Sequence, residues 1–187
     1  MRFTELGVCG AHLVEAEPHA DQRGLFARTW CAREFASRGL SPRLVQASVS
    51  FNARQGTLRG LHYQTSPAEE AKLVRCTAGR VWDVVLDLRP DSPTYLAHAA
   101  VELSADTRAA VYVPEGCAHG FLTLTDGAEV LYQMSEYYAP ASSRGVRWND
   151  PAFGIPWPAP VVVISERDRT YPDFRPAHAQ SPLEVPR

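Results

Sequence analysis

A handful of residues set the chemical question in this chain. Arg59, His62 and Gln64 lie in Thr57-Leu58-Arg59-Gly60-Leu61-His62-Tyr63-Gln64, Lys72 follows shortly, and His119 lies in Pro114-Glu115-Gly116-Cys117-Ala118-His119-Gly120-Phe121. Both stretches read as strands, where ionisable groups are costly to bury without a use. Two chemistries suit such a set. Imidazoles joined by a carboxylate, with Glu69 and Glu70 to hand, could hold a metal. An imidazole facing an ammonium and a phenol could instead move a proton.

The elements that must carry these residues are short strands. Lys72-Leu73-Val74-Arg75-Cys76 leads through a Thr77-Ala78-Gly79 turn into Arg80 to Leu88. In that second run Trp82, Val84, Leu86 and Leu88 share one face, and Val81, Asp83, Val85 and Asp87 the other. Further strands are expected at 99–103, 109–113, 119–125 and 128–134. Helical signals are confined to residues 31–38, ended by Gly39, and to a start at Ser165-Glu166-Arg167-Asp168 with Ser165 as N-cap. Many strands with hardly any crossover helix predict an all-β antiparallel sandwich or barrel rather than a parallel α/β sheet.

The 187 residues are expected to form one domain, with an irregular tail from about residue 175. A net charge of −2 without a Lys/Arg cluster argues against nucleic acid as a partner. No run is long enough to span a bilayer, and the N-terminal residues contain no signal-peptide core. Cys9, Cys31, Cys76 and Cys117 are scattered, which predicts free thiols in a cytoplasmic protein.

Pro114-x-Gly116-x-x-His119 resembles the second motif of the cupin superfamily, a jelly-roll barrel that often holds a metal. Metal-binding cupins supply two more histidines, spaced one apart, from an earlier hairpin. That place here reads His62-Tyr63-Gln64, so the second imidazole has become an amide, a poor ligand for a transition metal. No metal or other cofactor is expected. A wider ordered series includes the Thr57 to Gln64 stretch, Lys72-Leu73-Val74-Arg75, the His119 motif and Leu131-Tyr132 with Tyr137-Tyr138, with Arg23 lying upstream in Asp21-Gln22-Arg23-Gly24-x-Phe26. It continues through Trp148-Asn149-Asp150-Pro151 to Ser165-x-x-Asp168. From about Asp21 to Asp168 it resembles the nucleotide-sugar 3,5-epimerases that act on dTDP-4-dehydro-6-deoxyhexoses.

That resemblance implies a metal-free cupin that removes a proton beside a ketone and returns it on the other face. Such a carbon acid ionises only if its enolate is stabilised, so the site needs a base, a cation and an opposing acid. By position His62 matches the base, Asp168 the carboxylate that orients it, Lys72 the cation and Tyr132 the acid. Arg23, Phe26, Gln46, Arg59, Tyr138 and Arg167 match substrate-binding positions: Arg23 and Arg59 for diphosphate oxygens, Tyr138 for stacking on the nucleobase. His119 either braces the turn after Gly116 or lines the sugar pocket. The resemblance also implies a homodimer in which an N-terminal segment pairs with the partner's sheet, so that Arg23 serves the neighbouring pocket.

Each role has a plainer alternative. His62 could be a core histidine, Lys72 a solvated edge lysine, and Tyr132 a core tyrosine beside Val130 and Met134. Asp168 could simply close a capping box with Ser165. Strict alternation would put Arg59 and His62 on opposite faces of one strand, so both assignments hold only if Gly60 marks a bulge. Around the nucleotide the chain departs from the family pattern. Arg28 and Ser143 stand where glutamates are common, Gln46-Ala47-Ser48 where Gln-Asp-Asn is frequent, and Arg167 where lysine is usual. Two rival classes follow: a metal-dependent cupin oxygenase or isomerase, and a non-catalytic nucleotide-sugar-binding cupin.

Overall fold

The computed structural model describes residues 1–176, so most of the tail expected to be irregular lies outside the described residues. The strands are β1 (Arg2–Glu5), β2 (His12–Glu15), β3 (His19–Asp21), β4 (Gly24–Phe26), β5 (Gln46–Asn52), β6 (Thr57–Gln64) and β7 (Lys72–Ala78). They continue as β8 (Arg80–Asp87), β9 (His98–Ser104), β10 (Ala110–Val113), β11 (Cys117–Thr123), β12 (Ala128–Met134), β13 (Ser143–Gly145) and β14 (Val163–Ile164). Two short helices complete the described set, α1 (Ala32–Ala36) and α2 (Glu166–Arg169).

Two large sheets make the body of the molecule. One runs β1-β2-β10-β7-β12-β5 and the other β13-β6-β11-β8-β9, with β14 added to β6 in parallel. All the other pairings are antiparallel, as expected of a cupin jelly roll. Their inner faces meet in a core that includes Val74, Val81, Val85, Leu103, Val111, Phe121 and Val130. Burying such faces is the main favourable term in folding, roughly 1.5–3 kcal/mol for each fully enclosed large aliphatic side chain.

Strand β8 obeys its predicted alternation yet is buried on both sides. Val81 and Val85 enter the inter-sheet core, while Val84 and Leu86 meet Val146 and Phe153 on the outside. Asp83 and Asp87, on the inner-facing set, are both fully buried. Asp87 is satisfied by Arg89, Ser92 and Thr94, with contacts of 2.8, 2.5 and 2.6 Å to its Oδ2. Burial pushes its carboxyl up, but these donors overcome that and hold it at about 2.

Several boundaries differ from the sequence reading. Strand β7 runs on through Ala78, and only Gly79, at φ +70, turns the chain into β8. The helix expected over 31–38 spans Ala32–Ala36: it starts after Cys31 as expected, but tightens beyond Ala36 into i→i−3 turns that end at Gly39, at φ +72. The first four strands were not anticipated. They are brief, and β3 and β4 are exposed along their whole length, so no buried face imposes a period.

Candidate active site

Strands β6 and β11 cross at a glycine pair. His119 pairs with His62 and Phe121 with Arg59, so Gly120 stands opposite two residues, Gly60 and Leu61. This is the β-bulge that the sequence required if Arg59 and His62 were to share a side. Gly60 has φ +121, and a Cβ there would lie 2.6 Å from Gly120 Cα. Only glycine fits. The consequence is that Arg59 and His62 line the same cavity, of about 630 Å³.

Both sheets contribute to that cavity. Strands β6 and β11 supply Arg59, His62 and His119, while β7 and β12 supply Lys72 and Tyr132 from the opposite sheet. Helix α2 adds Arg167 and Asp168. His62 Nε2 and Asp168 Oδ1 are 2.6 Å apart, leaving His62 Nδ1 without a partner among the described residues. The other carboxylate oxygen of Asp168 accepts from Gly60 N at 3.2 Å, so the bulge also anchors the acid. Burial alone would raise the Asp168 carboxyl, but contacts from His62, Gly60 and Ser165 more than offset it and hold it below the usual range.

Of the capping box read at Ser165-x-x-Asp168, only the serine half forms. Ser165 Oγ accepts from Asp168 N at 3.1 Å, as an N-cap should. The Asp168 carboxylate does not complete a capping box; it is committed to His62 and Gly60 instead. Lys72 is no edge lysine, because β7 lies between β10 and β12 and the side chain is buried. Its ammonium donates to the His62 carbonyl at 3.1 Å and pairs with Glu70 at the same distance. Glu70, a possible metal carboxylate on sequence grounds, is thus the partner of a cation.

Tyr132 and His119 form an edge-to-face pair with centroids 5.9 Å apart. Burial first, then the negative charge of Asp83, pushes the Tyr132 phenol far up, so it stays protonated through the physiological range. His119 Nε2 contacts Asp83 Oδ2 at 2.9 Å, and both residues are buried. His119 therefore lines the cavity and is held by a carboxylate of β8, a partner that the sequence reading did not assign. The signal was present: Asp83 shares a strand face with Val81 and Val85, where a carboxylate needs a reason. Asn52 was missed outright. Its Oδ1 accepts from Arg59 Nε at 2.7 Å, holding the guanidinium in place.

Other predicted residues lie apart from this cavity within one chain. Arg23 and Phe26 sit on the β3–β4 hairpin, the arginine ion-paired with Asp21 and Phe26 77% exposed. Gln46 uses its side-chain oxygen to accept from Tyr138 N at 3.1 Å, and Tyr138 is exposed. Gln64, the amide in the ligand-like position, is buried and bonded to the backbone at Ala68, Tyr137 and Ala139. Among the described residues no three His, Cys, Asp or Glu side chains are grouped to hold a metal ion, and all four cysteines are free.

A jelly roll that gathers an imidazole–carboxylate pair, a buried ammonium and a protonated phenol around one cavity has the makings of a carbohydrate epimerase. Residues 5–176 match the family described as dTDP-4-dehydrorhamnose 3,5-epimerase. The enzyme of that name from Methanothermobacter thermautotrophicus is 41% identical over 177 residues, covering 93% of this chain and 95% of the relative. A dTDP-4-dehydrorhamnose 3-epimerase from Streptomyces niveus is 40% identical, covering 90% and 82%. The crystal structure of the 3,5-epimerase from Elizabethkingia anophelis superimposes with a TM-score of 0.90 at 36% identity, covering 93% of this chain and 96% of that one. The chain belongs to the dTDP-4-dehydrorhamnose 3,5-epimerase family, and it is an isomerase of the cupin fold.

Proposed function

We propose that the protein inverts C3 and C5 of a dTDP-linked 4-keto-6-deoxyhexose, in deoxysugar biosynthesis in the cytoplasm, as one catalytic domain that needs no metal. One observation carries the reading: His62 and Tyr132 face a common cavity from opposite sheets. A sugar ring lying between them presents one face to an imidazole and the other to a phenol. That is the arrangement that inversion of a carbon acid demands.

His62 takes the proton from the carbon beside the C4 ketone, with Asp168 supporting the imidazolium that forms. The Lys72 ammonium stabilises the enolate oxygen, and Tyr132 returns a proton to the opposite face. His62 ends protonated and Tyr132 deprotonated, so both must exchange with solvent before the next turnover. Arg59, braced by Asn52, and Arg167 suit the diphosphate, whose oxygens match a guanidinium fork. His119 lines the sugar end beside Tyr132, and Gln46 fixes the segment bearing Tyr138 for the nucleobase.

The working unit in this reading is a homodimer with exchanged N-terminal strands. Arg23 and Phe26 then complete the neighbour's pocket, which accounts for the apolar exposure of Leu25 and Phe26 on the hairpin. A narrower reading, inversion at C3 alone, is favoured by the similarity to the Streptomyces niveus 3-epimerase. Incubation with dTDP-4-keto-6-deoxyglucose in deuterated water, followed by NMR, separates the two. Deuterium at C3 and C5 is the expected result; label at C3 only selects the narrower reading, and no label at either carbon refutes both.

A further inference from the structure

Just beyond α2, Tyr171 touches two members of the site without lying among the residues singled out above. Its ring stands edge-on to the His62 imidazole, with centroids 6.4 Å apart and planes at 69°. Room for it comes from Gly145, which pairs with His62 across β13 and β6. A Cβ at Gly145 would overlap the Tyr171 ring at Cζ and Cε2, and its hydroxyl as well. The hydroxyl accepts from Arg167 Nε at 2.8 Å, and Arg167 Nη2 donates to Ser143 Oγ at 3.1 Å.

Arg167 is exposed yet lines the cavity. A free arginine carries roughly 2 kcal/mol of rotamer entropy, which a ligand must overcome each time it binds. Two fixed hydrogen bonds and an adjacent aromatic ring remove part of that cost beforehand. Ser143 and Tyr171 thus hold Arg167 from two sides.

We propose that Tyr171 is a positioning residue with two separable duties: its hydroxyl holds Arg167 ready for the anionic half of a nucleotide sugar, and its ring walls the His62 imidazole. The assignment rests on the epimerase reading above. Burial raises the Tyr171 phenol, which keeps it neutral and leaves the charge at this corner to Arg167.

Steady-state kinetics on dTDP-4-keto-6-deoxyglucose separate the two duties. Tyr171→Phe keeps the ring and loses the tether, so KM rises about 2- to 10-fold while kcat stays within about twofold. Tyr171→Ala loses both, raising KM equally and lowering kcat about tenfold, a loss that the phenylalanine variant rescues. Gly145→Ala displaces the ring and reproduces the kcat loss, but adds nothing in the Tyr171→Ala background. Thermal melts of all variants are expected to stay within a few degrees of the parent. Unchanged KM in Tyr171→Phe, equal kcat losses in the Phe and Ala variants, or losses that follow a fallen Tm overturn the role of Tyr171 alone. A parent protein that exchanges no α-proton overturns the epimerase reading and this assignment with it.

Discussion

The molecule contains two histidine–carboxylate pairs on neighbouring strands, built alike and housed differently. His62 and His119 are direct partners in the β6–β11 register, and each presents Nε2 to an aspartate, at 2.6 and 2.9 Å. The His62 side chain is 39% exposed and its partner Asp168 comes from a helix of four residues. The His119 side chain is 3% exposed, and Asp83 is carried by a strand covered on both faces. Open access suits the first pair to exchange protons with substrate and solvent. Enclosure suits the second to hold geometry, with Tyr132 against its imidazole edge. Identical functional groups thus stand in different surroundings.

The contrast breaks most sharply in a substitution of each histidine. His62→Asn is expected to lower kcat by ~10²–10⁴-fold in the deuterium exchange assay, with an unfolding midpoint close to that of the parent. An active His62→Asn protein would remove the open pair from the mechanism. His119→Phe strips the buried Asp83 of its only partner among the described residues, and Asp83 Oδ1 already has none. Breaking a buried pair in this way costs about 3 kcal/mol, read by urea denaturation, whereas His62→Phe should cost less, because Asp168, though also buried, keeps its bond from Gly60 N. Equal losses at the two positions would erase the distinction.

Acid titration sharpens the same comparison by adding a carboxylate with no histidine. Asp87 is held at about 2 in the folded protein, below its usual value near 3.8. A depressed carboxylate stabilises the fold above its unfolded pKa, and that contribution is lost as pH falls through the folded one. Asp87 therefore contributes about 2 kcal/mol near neutrality, fading from about pH 4 towards pH 2. Unfolding free energies of the parent and Asp87→Asn should converge across that window; a constant gap would count against the assignment. The smallest effect is expected at the cap of α2. Ser165→Ala removes the acceptor for Asp168 N and should cost about 1 kcal/mol, with turnover falling severalfold as Asp168 loosens. An equivalent cap does not exist for Asp83, which is positioned by strand packing.

Much of this architecture was readable from residue types because local chemistry dictates it. The alternation in residues 80–88 specified both faces of β8, and the Gly60 bulge followed from requiring Arg59 and His62 to act together. Ser165 announced the start of α2 through its capping chemistry. Partners contributed by distant strands were not readable in this way. Nothing near Arg59 points to Asn52 as its brace, and Glu70 becomes the partner of Lys72 only once the side chain of the central strand folds back. Residues 19–26 were equally opaque as strands, since a fully exposed hairpin leaves no hydrophobic period.

Gly60 and Gly120 also act on how the barrel is assembled. A Cβ on Gly120 would come within 2.7 Å of the Arg59 carbonyl, so each glycine fits only against the other. The pair works as a key and its ward: sliding β6 by one residue would thrust a side chain into a slot with room for hydrogen alone. It would also turn the whole buried face outward. The contact that selects the alignment of the two strands is the one that brings His62, Arg59 and Asp168 together. A slip in register that spared the fold but scattered these side chains is therefore opposed by the same close contact that gathers them.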